Sequence, residues 1–224
     1  AVEGDVTTLR TLLADGADVN AKDSAGRSPL SYALSNNHGH LARILLDHGA
    51  DVNATDNSGR SVLMEAIRKT DLDLVKRLLR QGANTHQSCS WGMTSMHYAC
   101  CSESTEMLGL LVEHGADVDV ADDSGITPLA QAVEFEDIAK VRFFLSAGAR
   151  VNVEDKSGKT PLKIAKSFKN KEIVKMLKSA GVDVVRTIVD LANGTRPPES
   201  DSYDTDVRYR WVLPNELLWA INRR

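Results

Sequence analysis

Glycine recurs along this chain at a fixed interval of 33 residues: Gly16, Gly49, Gly82, Gly115, Gly148 and Gly181 form one series, and Gly26, Gly59, Gly92, Gly125 and Gly158 a second. A third series runs through Ala33, Ala66, Ala99, Ala132 and Ala165. No insertion breaks the register. A chain built this way is a stack of equal supersecondary units rather than a single folded core.

The residues around the glycines define one unit. Asp23, Asp56, Asp122 and Asp155 each stand three residues before a glycine, the pattern of a β-turn whose later position needs positive φ. Ser28, Ser61, Thr94, Thr127 or Thr160 follows as the expected N-cap, and in three of the five units a proline comes next, where a helix has no use for its N–H. A short first helix starts there. After a polar break, apolar residues return at helical spacing, as in Leu41, Ile44 and Leu45 or Leu74, Val75, Leu78 and Leu79. A glycine then ends the second helix. Neither helix can hide its apolar face alone, so the units must stack.

Together, SPLSYA, TPLAQA, TPLKIA and LLDHGADVNA resemble the T-P-L-H-x-A and L-L-x-x-G-A-D-V-N-A signatures of the ankyrin repeat family. On that likeness the fold class is an all-α repeat solenoid with a non-repeat C-terminal tail. The ankyrin domain spans 1–187: full repeats at 23–55, 56–88, 89–121, 122–154 and 155–187, preceded by a half repeat at 1–22 whose Ala1 and Gly4 are in phase with Leu34 and Asn37. The phase of this half repeat leads us to expect that the natural chain starts earlier. The resemblance implies an L-shaped solenoid that binds a partner protein or peptide through its turn tips and the concave surface of its first helices. It implies no chemistry, so we expect neither enzymatic activity nor a cofactor.

Composition narrows the partners. A net charge of −4 with 42% hydrophobic residues disfavours a nucleic-acid binder and a polybasic membrane anchor, and no apolar run approaches the roughly 20 residues a bilayer span needs. Three cysteines, two of them adjacent, make a poor disulfide framework. With no signal-peptide pattern in AVEGDVTTLR, the expectation is reduced thiols, a cytoplasmic or nuclear address and a monomer.

All three cysteines lie in CSWGMTSMHYACC, residues 89–101. His86, Cys89, His97 and Cys100 give an H-x2-C pair of zinc-like spacing. The repeat frame argues against a metal site: His97 takes the histidine position of T-P-L-H, which the resemblance assigns to hydrogen bonds within the stack, and Cys100 faces a neighbouring helix. A Cys–His catalytic pair has no orienting acid or oxyanion hole to support it. What remains distinctive is departure from consensus: Cys89 replaces the turn Asp, Ser95 the proline and His86 the connector Asn. We read this central repeat as fitted to a ligand.

The family's binding geometry then selects the surface. Turn-tip candidates are Arg60, Trp91, Met93 and Ile126, with Arg27 and Lys159 at equivalent places; first-helix candidates are Met64, Arg68, Tyr98, Phe135 and Phe168, beside Cys101. Trp91, Met64 and Phe135 are expected to dominate binding. Arg60, Arg68 and Lys69 form a basic edge for an acidic partner.

Beyond 187 the period is lost. Residues 188–210 read as a helix extension and an acidic flexible linker, GTRPPESDSYDTD, and 211–224 as a short amphipathic helix opening at Pro214. LPNELLWAI resembles the start of an F-box or of the PRANC segment that follows ankyrin repeats in poxviral proteins. That likeness implies an alternative function, a substrate receptor that reaches a cullin ubiquitin ligase through a Skp1-type adaptor.

Overall fold

The structure, a computed structural model, describes residues 6–102 and 104–192, with side chains to residue 181. The chain forms helices α1 (Val6–Ala14), α2 (Pro29–Ser35), α3 (Gly39–Asp47), α4 (Val62–Arg68), α5 (Leu72–Arg80), α6 (Ser95–Ala99), α7 (Glu106–Glu113), α8 (Pro128–Glu134), α9 (Ile138–Ser146), α10 (Pro161–Ser167) and α11 (Lys171–Ala192). From α2 onward they come in pairs, a short first helix and a longer second one. No strand occurs among the described residues, only isolated bridges such as Thr55 with Ser61. The chain divides into two compact units between Pro128 and Leu129.

Each turn is built by its aspartate. In the second full repeat Asp56 Oδ1 accepts hydrogen bonds from the Ser58 and Arg60 amides at 2.9 and 3.0 Å, while the Gly59 amide closes the turn on the Asp56 carbonyl at 2.9 Å. Gly59 has φ 74°, and a Cβ there would stand 3.1 Å from the Ser88 carbonyl oxygen of the next turn, so any side chain at this position would be strained. The Asp56 carboxyl sits below the usual carboxylate range. Partial burial pushes it up, but the Ser58 hydroxyl and the two amides stabilise the anion more.

Successive turn tips of the first unit are joined by main-chain bonds, with side-chain bonds from Asn57 and Ser90 added at two of them. The Asn57 amide donates to the Ala25 carbonyl at 3.0 Å, Ser90 to Ser58 at 2.8 Å and Asp123 to Trp91 at 3.0 Å. Connectors add side-chain staples. Asn20 Oδ1 accepts from the Asp51 amide at 2.8 Å, and Asn53 Oδ1 from the Asn84 amide at 2.7 Å. These bonds fix the spacing between units before any core residue is counted.

The first helices start where expected: Ser28 Oγ accepts from Ser31 N at 3.2 Å, Ser61 Oγ from Met64 N at 3.2 Å and Thr160 Oγ1 from Lys163 N at 3.3 Å. Three second helices are capped as well, by Asp71 on Leu74 N at 3.1 Å, Asp137 on Lys140 N at 3.0 Å and Asn170 on Ile173 N at 3.1 Å. Between the two helices of a pair a residue other than glycine takes positive φ, again on the repeat period: Asn37, Thr70, Glu136 and Lys169. The core of the first unit joins Leu30, Leu45, Leu63, Ile67, Leu74, Leu78, Met96, Leu108 and Leu111, all nearly inaccessible; that of the second joins Leu129, Val133, Val141, Phe144, Ile164 and Ile173. Each such side chain contributes about 1.5–3 kcal/mol by leaving water.

One expectation fails at the last glycine of the series. Gly16, Gly49, Gly82, Gly115 and Gly148 take positive φ and end their helices, but Gly181 lies inside α11, which continues to Ala192. The reason lies downstream. The places where a further turn would have Asp and Gly are filled by Ile188 and Leu191, so no turn competes with the helix, and a mid-helix glycine costs only about 1 kcal/mol. The linker and the 211–224 segment with its F-box likeness lie outside the described residues.

Candidate functional site

On the first unit, turn tips and first helices together present a face whose rows repeat in register. The row that follows the turn glycine carries Arg27, Arg60, Met93 and Ile126, all partly exposed. A row on the first helices carries Tyr32, Glu65 and Tyr98, and the next Ser35, Arg68 and Cys101. Trp91 stands at the third turn tip, 60% exposed, while its carbonyl holds Asp123.

Met64 does not belong to this face. It is 0% exposed, and the reason was present in its phase: Met64 lies one period before His97, the position that points into the stack. The residue that does reach the face from α4 is its neighbour Glu65. Sequence reasoning missed it because one acid on a short helix reads as a solvated charge. In the structure its side chain is only 5% exposed and lies between two arginines: Arg68 Nε and Nη2 both donate to it, the former at 3.1 Å, and Arg60 Nη1 stands 3.7 Å away. This carboxylate pushes the Arg68 guanidinium above its ordinary value.

The two turn-tip arginines behave differently. Arg27 Nε donates to Asp23 at 2.9 Å, and its guanidinium lies 5.3 Å over the Tyr32 ring. The Asp23 carboxyl is lowered chiefly by that Arg27 bond. Arg60 makes no such bond to Asp56, whose Oδ1 accepts the Ser58 hydroxyl at 2.6 Å, and Arg60 Nε is buried with no acceptor. Tyr98 sits beside this group. Burial raises its hydroxyl pKa, helped by a hydrogen bond with Cys89, and Arg60 works against that rise.

The residues of the zinc-like spacing do not converge. His86 is exposed on a connector, Cys89 is buried under Tyr98, and Cys100 donates its thiol to the Pro128 carbonyl at 3.7 Å. Both ring nitrogens of His97 are engaged: Nε2 donates to the Ile126 carbonyl at 3.0 Å and Nδ1 accepts from the Thr94 amide at 3.2 Å. Burial lowers the His97 pKa, opposed by the Ile126 carbonyl. His97 is thus a neutral rivet between the third and fourth turns. Ser95, in the place of the proline, bonds the Thr85 carbonyl at 2.9 Å.

On the second unit Phe135 and Phe168 follow the ends of α8 and α10, 53% and 50% exposed. No ring contact joins them among the described residues. At the other end of the chain, α1 buries none of its side chains, and a groove of about 770 Å³ runs beside α2, lined by Leu9, Leu12, Pro29, Tyr32, Leu41 and Leu45. No motif or spacing in the sequence marks this groove.

Helix pairs that repeat on a fixed period, each opened by a glycine-containing turn and, in the first unit, linked from tip to tip, define a helical repeat protein. The chain belongs to the ankyrin repeat family: a family model of ankyrin repeats in three copies matches residues 1–88, 63–155 and 120–188. Among solved structures it is similar to an ankyrin repeat domain from Acinetobacter baumannii AYE, with 30% identity and a TM-score of 0.74 over 80% of this chain and 94% of that one. A search of curated proteins returns no match. Ankyrin repeats are generally protein-interaction modules, and no helix among the described residues is long and apolar enough to cross a membrane.

Proposed function

We propose that this chain is a non-enzymatic adaptor, a monomer of the cytoplasm or nucleus that binds a partner protein through the turn tips and first helices of its repeats. Trp91 carries the reading. A tryptophan that is 60% exposed on a turn held by main-chain bonds contributes nothing to the core that would account for it, whereas aromatic side chains on rigid supports are the residues that dominate interfaces. Met93 and Ile126, half-buried in the neighbouring row, give it an apolar setting. Phe135 and Phe168 supply a second aromatic pair on the other unit. Delivery of a bound protein to a ubiquitin ligase would need the segment 211–224, and nothing in the described residues favours it.

The test is affinity capture with the native chain and with a Trp91→Ala, Phe135→Ala double variant whose helical circular dichroism is intact. Partners lost from the variant support the reading; an identical set of partners refutes it.

A further inference from the structure

We propose that the tip face of the first unit takes an extended acidic peptide segment, with a carboxylate on Arg60 and an apolar side chain about three residues away against Trp91, Met93 and Ile126. The inference rests on the interaction reading above and gives it a chemistry.

The acidic end follows from an imbalance of donors and acceptors. Arg60 and Arg68 share one carboxylate, Glu65, whose two oxygens both receive hydrogen bonds from Arg68. Arg60 therefore has an ion pair at 3.7 Å, no hydrogen bond to it, and a buried Nε with no acceptor at all. One repeat earlier, Arg27 is satisfied by Asp23 and Tyr32, so the deficit is particular to the second turn. A guanidinium presents five donors and no acceptor. The ligand group that answers it must be an acceptor, and the planar fork of a guanidinium whose hydrogen bonds are unmade favours a carboxylate, which can bind it in two-pronged fashion.

The apolar end follows from the row itself. Its members change from Arg27 and Arg60 to Met93 and Ile126 along four consecutive turns, with Trp91 exposed beside the third. A ligand crossing the turns meets charge first and hydrocarbon second. Neighbouring packed helices stand about 10 Å apart, and an extended chain advances about 3.3 Å per residue. An acid over Arg60 therefore places the residue three positions away over Met93 and Trp91. A nucleic acid would satisfy the arginines and could stack a base on Trp91, but it offers little hydrocarbon to Met93 and Ile126.

The experiment selects short random peptides displayed on phage against the full chain, with counter-selection on an Arg60→Met, Trp91→Ala variant. Enriched sequences are made as fluorescent peptides, each with an acid-to-amide counterpart. They are titrated by anisotropy against the native chain, Arg60→Met and Trp91→Ala, all shown to be folded by thermal melting. We expect Asp or Glu about three residues from an aromatic or aliphatic residue. The acid-to-amide change should weaken binding to the native chain about tenfold and leave binding to Arg60→Met nearly unaltered. Peptides that depend on Trp91 but ignore both Arg60 and the acid overturn the acidic ligand while the interaction reading survives. A selection that yields no peptide sensitive to either residue overturns both.

Discussion

Replacing His86 with asparagine should stabilise the chain, and the structure says where and by how much. At the equivalent connector positions Asn20 and Asn53 each reach the next repeat twice. The oxygen accepts from an amide at 2.7–2.8 Å, and the side-chain N–H points to a carbonyl at 3.5 and 3.3 Å, those of Gly49 and Gly82. At the third connector the corresponding groups are the Gly115 carbonyl and the Asp117 amide. His86 keeps only the backbone bond to Asn84, at 2.9 Å. Asparagine there would add one short hydrogen bond and one long one. In an exposed setting the short bond contributes about 1 kcal/mol net and the long one a fraction of that, so His86→Asn should raise stability by about 1 kcal/mol and the melting midpoint by about 2–4 °C. The reciprocal change, Asn53→His, should cost a similar amount. Thermal and urea denaturation followed by far-UV circular dichroism measures both, and hydrogen exchange at the Asp117 amide reports the new bond directly. Unchanged exchange at Asp117 together with an unchanged or lowered midpoint would refute the assignment of the connector asparagine as a staple.

Other substitutions probe separate parts of the construction. Thr70 holds φ 56° as a β-branched residue, a place where asparagine is far better tolerated, so Thr70→Asn should gain about 0.5–1 kcal/mol in urea denaturation; a loss would show that its hydroxyl bond to the Lys69 carbonyl matters more than the backbone. Met64→Ala should cost about 2–5 kcal/mol, because it opens a cavity in a packed core, and measured affinity for any partner should change only in proportion to the folded fraction. His97 is held neutral, with its folded pKa below the unfolded value of about 6.5. Its contribution is therefore fully present above pH ~6.5 and is lost as pH falls from there toward the lowered folded value, since the unfolded chain binds the proton first. Stability measured from neutral to mildly acidic pH should fall in the native chain and fall less in His97→Gln; parallel curves would sink this account.

The repeat was legible because its signals are local. A turn needs Asp and Gly, a helix start needs Ser or Thr, and both recur at fixed distances, so the phase carries each assignment into the next unit. Phase also contained the answer for Met64, since His97 marks that position as inward, but hydrophobic character alone made it look like a contact residue. Glu65 was beyond reach for another reason. Its role depends on two arginines approaching from different points of the chain, and whether a turn arginine bonds its own turn aspartate, as Arg27 does and Arg60 does not, is a choice of hydrogen-bond partner that spacing does not encode. The extension of α11 past Gly181 shows the limit of the periodic argument: a glycine ends a helix only where the following residues offer the chain something else to form.

The bonds between turn tips make position and identity separate properties at this surface. Because Ala25, Ser58 and Trp91 each hold the next turn with a carbonyl oxygen, a group every residue possesses, the link from tip to tip does not depend on which side chain stands at that place. That link persists whether the place holds alanine, serine or tryptophan, so a new binding preference can be written onto the tips one residue at a time without cutting the bonds that join them.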